Sequence, residues 1–380
     1  MTKEPEKNKI HFHSSSHFAE HIKNNQTLEN LVVFEIDLLA FETELLKKDI
    51  RNCYFVDCKM NSDLLNKIHD EKNYVLPKLN LPYSMFQDKL YSRNSLFNNY
   101  DPTNTSSYES TKDHLIYKHF LSSGGNSPNS MHESFARSMH DRAVEESMNK
   151  FLQKRISSRK FIGIMGGHAI SRKDSNYKKT ALIAKSLTEN GCLIFTGGGP
   201  GMMEAAHLGA HFAGRSKEEL SAGIEIMQSA QYYQDPLWLS KSHEVMEKYP
   251  QIFGFESLGI PTWVYGHEPP NPFPTHIAKF FSVTVRQDGL LSIAKSAVIY
   301  SPGSVGTTSE IFQEVQQNHY KNISKSAMIF LDKEFWTERT QLFPFLEKMN
   351  NDGIYNNLIL TIFDSAEEIL RFINEKKQDD

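Results

Sequence analysis

Long apolar runs are missing from this chain. No stretch is long enough to span a bilayer, and the start, Met1-Thr2-Lys3-Glu4-Pro5-Glu6-Lys7, lacks the apolar core of a secretory signal. The expected location is cytoplasmic, without a membrane partner. Cysteine is scarce: Cys53, Cys58 and Cys192 are an odd number whose spacing fits no zinc or redox motif. They read as buried structural thiols in a reducing compartment. Positive charge is not in excess either. Against 42 Lys and Arg stand 46 Asp and Glu, which removes the electrostatic footprint of a duplex-binding protein, so nucleic acid is not an expected partner. The Walker pattern is absent, because no Gly-Lys-Ser/Thr follows a glycine-rich turn. Internal repeats are not evident in the residue pattern.

What is present is a chain of 380 residues, enough for a sizeable core and for two domains more readily than one. Residues 1–28 are polar, carry His11, His13, His17 and His21, and read as a flexible tail. Residues 29–155 read as an accessory domain with a linker. Within it, apolar runs at 32–36 and 52–56 predict strands around a helical 38–48, a small α/β element. The stretch 91–130 reads as loop, linker or short helices, and 131–151 recovers a helical period.

From residue 156 to 380 the alternation is regular. Strands are predicted at 161–165, 192–196, 222–227, 280–285, 296–300, 327–331 and 358–363, with helices between several of them. The fold class is therefore α/β: a Rossmann-like, doubly wound parallel sheet with a smaller N-terminal α/β extension. Its ligand site is expected beyond the C-terminal ends of the strands.

Three glycine-rich turns each follow a predicted strand there: Met165-Gly166-Gly167-His168, then Gly197-Gly198-Gly199-Pro200-Gly201-Met202-Met203-Glu204, then Pro302-Gly303-Ser304-Val305-Gly306-Thr307-Thr308-Ser309-Glu310. Glycine lets backbone approach an anion closely, and a helix that follows offers unpaired N–H groups and a positive dipole end. Glu310, expected in the first turn of such a helix, places a carboxylate at the rim of a phosphate seat. The same spacing from Thr307 to Glu310 also satisfies a capping box, which would merely close a helix. A nicotinamide-dependent dehydrogenase is poorly supported, because Glu225 falls inside the predicted 222–227 strand and no ribose-binding acid ends it.

The second and third turns together resemble the LOG ("lonely guy") family of nucleoside 5'-monophosphate phosphoribohydrolases, formerly called lysine decarboxylase-like, whose hallmark is P-G-G-x-G-T-x-x-E. Glu268-Pro269-Pro270-Asn271-Pro272 ahead of Arg286 is similar to the bacterial nucleotide nucleosidase branch of that superfamily. The resemblance covers roughly 160–375. Ser304 stands where the hallmark has its second glycine, and Gln287 follows Arg286 where the plant-type enzymes have Lys.

The resemblance implies a Rossmann-like hydrolase that releases a free base and ribose 5-phosphate from a nucleoside monophosphate, as a homodimer or higher homo-oligomer, without a metal or other cofactor. It implies that Glu310 and Arg286 are catalytic. Gly166, Gly167, Gly197, Gly198, Gly199, Gly201, Gly303, Ser304, Gly306 and Thr307 would bind the 5'-phosphate. The alternative is a sensor of the same fold that binds a nucleotide and leaves it intact. His168 and Arg172 lie within reach of the first turn but read by default as surface loop residues, while Trp263 and Tyr265 read as core or subunit contacts.

Overall fold

Short β-branched and aromatic runs separated by asparagine turns build two small parallel sheets, and longer βα units build a third, larger one. The computed structural model describes residues 10–71, 73–77, 79–294, 296–320 and 325–375. The chain divides into two units, Met1–Leu81 and Pro82–Asp380.

In the first unit, β1 (Ile10–Phe12) leads to α1 (Ser15–Asn24), then to β2 (Thr27–Glu29) and β3 (Leu31–Phe34). The short α2 (Glu42–Leu45) precedes β4 (Asp49–Arg51) and β5 (Tyr54–Val56); α3 (Ser62–Asp70) and β6 (Tyr74–Leu76) follow. Two parallel ladders form, β1-β3-β5-β6 and β2-β4. Residues 10–24, expected as flexible tail, are instead strand and helix, because Phe18 and Ile22 of α1 are fully buried beside Leu28 and Leu31. The earlier part of that tail, residues 1–9, lies outside the described residues.

The register overturns the absence of repeats. In the β2–β4 and β3–β5 pairs it joins each residue to the one 22 positions on, Thr27 to Asp49 and Val33 to Phe55. Corresponding residues bend alike: Asn30 and Asn52 have φ of 60° and 51°, and Glu35 and Asp57 have φ of 52° and 51°. The Asn52 amide donates to Asn30 Oδ1 at 2.6 Å. These are two coils of a short β-solenoid. The repeat was hidden because it is carried by residue class and backbone conformation (Leu28/Ile50, Leu31/Cys53, Ile36/Cys58) and hardly by identity.

The second unit opens with α4 (Arg93–Leu96), α5 (Lys112–Ser122) and the 23-residue α6 (Met131–Gln153). Residues 82–155, grouped with the accessory domain in the sequence reading, belong to this unit. Polar anchors bind them to it: Asp141 accepts from the backbone N–H of Phe281 and Ser282, and buried Lys279 pairs with Asp113 at 2.6 Å.

The parallel sheet comprises β7 (Lys160–Met165), β8 (Cys192–Thr196), β9 (Ser257–Gly259), β10 (His276–Ile277), β11 (Ala297–Tyr300), β12 (Ala327–Phe330) and β13 (Ile359–Ile362). Their spatial order is β10-β9-β8-β7-β11-β12-β13. The chain starts at β7, winds outward through β8 and β9, then returns to the other side of β7 with β11. Such a sheet has a switch point between β7 and β11, and the crevice beyond their C-terminal ends is where this architecture seats ligands. This is the Rossmann-like α/β fold expected, with the smaller α/β unit preceding it. Helices α7 (Ser175–Glu189), α8 (Met202–His211), α9 (Lys217–Met227), α10 (Trp238–Lys248), α11 (Val283–Ser292), α12 (Val305–Tyr320), α13 (Leu342–Asn351) and α14 (Ala366–Glu375) complete it. Ile162, Ile164, Ile194, Ile299 and Ile329 from the strands form one core with Ile183, Leu187 and Ile369 from the helices.

Two predicted strands are helical or absent. Residues 222–227 belong to α9, where Ser216 and Glu219 form a reciprocal capping box and Leu220, Gly223, Ile224 and Met227 are buried at helical spacing. A window of 222–227 was too short to reveal that period. Residues 280–285 form no strand either, because Ser282 caps α11 through the Val285 N–H. Arg286 therefore stands on a helix. The strand after β8 is β9, and its exit, Ile260-Pro261-Thr262, also lacks a ribose-binding acid.

Cys53 and Cys192 are buried and Cys58 is partly buried, all as free thiols, and burial pushes each up to about 11. Among the described residues no helix is long and apolar enough to cross a membrane.

Candidate functional site

A cleft of about 510 Å³ opens at the switch point. Its lining includes Gly166 and Gly167 from the loop after β7, Gly197 and Gly199 from the loop after β8, and Ser304, Gly306 and Thr307 at the start of α12, with Glu310 and Arg286 among them. Nine of the twelve residues singled out in the sequence thus share one cavity. The other three, Gly198, Gly201 and Gly303, shape the loops from behind. Gly198 and Gly201 have φ of 72° and 67°, and a Cβ on Gly198 would meet the Pro261 ring at 2.8 Å. A Cβ on Gly303 would collide with the Thr307 hydroxyl.

Backbone hydrogen bonds tie the loops together. Gly167 donates to the Pro302 carbonyl at 3.0 Å, Met202 to the Gly167 carbonyl at 3.0 Å, and Ser301 to the Met165 carbonyl at 2.8 Å. The Gly167 and Gly198 N–H groups are thereby occupied, the latter by Thr196 Oγ1. The N-terminus of α12 offers further donors to the cleft, because the first N–H groups of a helix have no intrahelical acceptor and its dipole end is positive. The hydroxyl-bearing Ser304 and Thr307 line the cleft at that point.

Glu310 is not in the first helical turn. Helix α12 begins at Val305, so Thr307 is its third residue and Glu310 its sixth. Glu310 therefore lies beyond the N-cap and N3 positions of a capping box, which leaves the carboxylate without a helix-closing role. From Thr307 to Glu310 the helix rises about 4.5 Å, which sets the carboxylate roughly one sugar's length below the anion seat. Glu310 Oε1 lies 3.6 Å from Arg286 Nη1, both side chains largely buried. Burial raises the Glu310 pKa above the ordinary carboxylate range, and the Arg286 guanidinium opposes that rise. Burial likewise lowers Arg286, against the pull of Glu310 and Tyr265. Arg286 is aimed by a 2.7 Å hydrogen bond from its Nε to the Ile260 carbonyl, and its Nη2 lies directly over the α-carbon of Gly197.

That contact makes a testable contrast. A methyl on Gly197 collides with the Arg286 guanidinium and meets Met203 Sδ at 2.9 Å, whereas one on Gly306 meets nothing within 4 Å. Gly197→Ala is expected to displace Arg286 and cost about 100-fold in turnover, since a misplacement of about 1 Å has that effect. Gly306→Ala is expected to keep or raise the melting temperature, alanine being favoured over glycine by about 1 kcal/mol inside a helix. Thermal melts and turnover of both variants check this.

Several residues differ from their expected roles. Arg172 is neither a surface residue nor a phosphate ligand. It is fully buried, with Nε and Nη2 on the two oxygens of Glu204 at 2.9 and 2.5 Å, and further bonds to the Ala230 and Trp238 carbonyls and to Ser242. Tyr177 donates to the same Glu204 at 2.9 Å. Trp263 is core, as expected, but Tyr265 is half exposed and lines the cleft. Sequence reading missed the rest of that wall: His267, Glu268 and Pro270, together with Pro261 and Thr262, which arrive on the irregular connection between β9 and β10. Their only signal was the proline-rich Glu268-Pro269-Pro270-Asn271-Pro272. Asn271 pins the segment in place, donating to the Gly198 and Gly199 carbonyls.

One turn beyond Glu310, Glu314 is buried, and among the described residues no cation pairs with it. Ser326 donates to one oxygen, and the other has no partner among the described residues. Burial pushes Glu314 from 4.5 up to about 7. An acid raised in the folded state stabilises the fold fully below its unfolded value and loses that contribution as pH rises through the folded one. Glu314→Gln is therefore expected to stabilise the protein by about 3 kcal/mol at pH 8 and not at pH 4, measured by urea unfolding at both.

Residues 159–231, spanning β7 through α9, match the model of the SLOG cluster4 family. Among solved structures, one designated TM1055 is 18% identical, with 57% of this chain and 99% of that chain covered and a TM-score of 0.36. The molybdenum cofactor binding protein of the phototrophic bacterium Rippkaea orientalis is 17% identical over 57% of this chain and 96% of that chain, with a TM-score of 0.35. The molybdenum cofactor carrier protein of Chlamydomonas reinhardtii is 13% identical over 58% and 97%, with a TM-score of 0.34. No curated protein matches the chain.

Proposed function

We propose that the larger unit hydrolyses the N-glycosidic bond of nucleoside 5'-monophosphates, giving free base and ribose 5-phosphate. One observation carries the reading: a buried carboxylate, Glu310, faces the same cleft as the N-terminus of its own helix, with Arg286 at 3.6 Å. The 5'-phosphate sits on the first N–H groups of α12, with Ser304 and Thr307 as additional donors. Held there, the ribose is delivered to Glu310, so that binding energy from the phosphate is used at the anomeric carbon. Bond cleavage develops positive charge on that carbon and the ring oxygen. The Glu310 carboxylate stabilises this charge and takes a proton from the attacking water, as paired carboxylates do in glycoside hydrolysis. Arg286 keeps the carboxylate ionised despite its burial. No step in this scheme calls on a metal or redox cofactor.

Incubating the purified protein with AMP, GMP, IMP, CMP and UMP and assaying ribose 5-phosphate tests the proposal; no release from any of them would remove it. Ser304, which adds a hydroxyl and a Cβ at the anion seat, favours a second reading in which the cleft holds a nucleotide without cleaving it. Calorimetry that shows tight binding of a nucleotide recovered intact would decide for that sensor. The resemblance also implies a homodimer or higher homo-oligomer, which light scattering tests.

A further inference from the structure

We propose that His168, oriented by Glu268, is the general acid that protonates the departing base. The inference rests on the hydrolase reading and adds a group that reading lacks. Glycosidic cleavage needs charge stabilisation at the anomeric carbon, which Glu310 supplies. It also needs a proton for the leaving nitrogen, because an unprotonated purine departs as an unstable anion. Arg286 is a poor donor, since its guanidinium does not give up its proton.

His168 Nε2 lies 3.5 Å from Glu268 Oε1, and His267 Nε2 lies 3.8 Å from the same oxygen; all three residues line the cleft. The Glu268 side chain is 15% exposed and that of His168 46%, so the acid is held inside while the imidazole stays open to substrate and solvent. Among the described residues no hydrogen bond engages the His168 ring, and Glu268 is the carboxylate it faces. One nitrogen turned to a carboxylate and the other left for substrate is the arrangement that orients a histidine for proton transfer.

The placement of the base follows from charge. A phosphate dianion beside Glu268 would be repelled, whereas the α12 N-terminus attracts it. The same cleft also offers a lining suited to a flat, largely apolar group: Pro261, Tyr265 and Pro270 from the connection that carries Glu268, with Met203 from α8.

In the step itself, the C1'–N bond breaks with its electron pair going to the base, and the His168 proton passes to a base nitrogen. The water oxygen bonds to C1' while its proton goes to Glu310. Glu310 then releases that proton to solvent and His168 takes one up, so the balance is nucleotide plus water to base plus ribose 5-phosphate.

Nicotinamide mononucleotide separates this role from a structural one, because its cationic base leaves as neutral nicotinamide and needs no proton. With AMP, His168→Gln is expected to lower kcat by about 100-fold or more, the usual contribution of a general acid. With nicotinamide mononucleotide it is expected to stay within about threefold of wild type. Glu268→Gln is expected to affect AMP in the same direction and less severely. Wild-type AMP rates in His168→Gln would overturn the proposal, as would equal loss on both substrates in a variant whose melting temperature is unchanged. If the wild type does not accept nicotinamide mononucleotide, 7-methylguanosine 5'-monophosphate, whose cationic base also leaves as a neutral molecule, takes its place with the same expected and overturning outcomes. A wild type that cleaves no nucleotide defeats the hydrolase reading itself, a different outcome from any of these.

Discussion

Glu310→Gln is expected to abolish nucleotide hydrolysis, with kcat and kcat/KM falling together by about 10³-fold while nucleotide still binds. The reasoning is electrostatic. Glutamine keeps the shape and the hydrogen-bonding capacity toward Arg286 but removes the negative charge that the cleavage step requires, and a group acting only in the transition state affects both constants equally. The wild-type rate is expected to fall on acidification through the raised Glu310 pKa, because the carboxylate must be ionised to work. That acid-side fall is expected to be missing from any residual activity of the variant. Rates measured across pH, with calorimetry of a bound nucleotide, check each part. Undiminished turnover in Glu310→Gln would dismiss the carboxylate from the chemistry.

The largest expected effect on stability lies behind the cleft, at Arg172. Substituting Arg172→Met leaves Glu204 fully buried without its cation, and losing one partner of such a pair costs about 3–5 kcal/mol. Arg172 binds both Glu204 oxygens and joins the loop after β7 to α8 and α10, so the loss should appear as a lower unfolding midpoint. Replacing both partners, Arg172→Met with Glu204→Leu, is expected to recover much of it, because the uncompensated charge is then gone. Chemical unfolding of the three proteins measures this. Wild-type stability in the single variant would show that the pair contributes nothing to the fold.

Much of the site was legible because its chemistry is local. A strand, a glycine turn and a helix N-terminus are contiguous in sequence, so Gly303 through Glu310 could be read as one device. The two other glycine turns declared themselves by following apolar strands. Even there one helical turn decided the meaning: with α12 starting at Val305, Glu310 leaves the capping position and faces the cleft. Arg172 was misassigned because a loop arginine carries no mark of the carboxylate, 32 residues on, that draws it inside.

Composition, the βα alternation and the three glycine turns were enough to establish a parallel, doubly wound sheet with glycine turns gathered at its strand ends, since hydrophobic period and glycine placement act over a few neighbours. Tertiary structure alone decided the solenoid of the first unit, whose coils share a backbone conformation and few identities. It alone assigned residues 82–155 to the larger unit, through partners more than a hundred residues away. It also brought His168, Tyr265 and Glu268 to one cleft wall, because such proximity depends on where an irregular connection is pinned and leaves no period in the sequence.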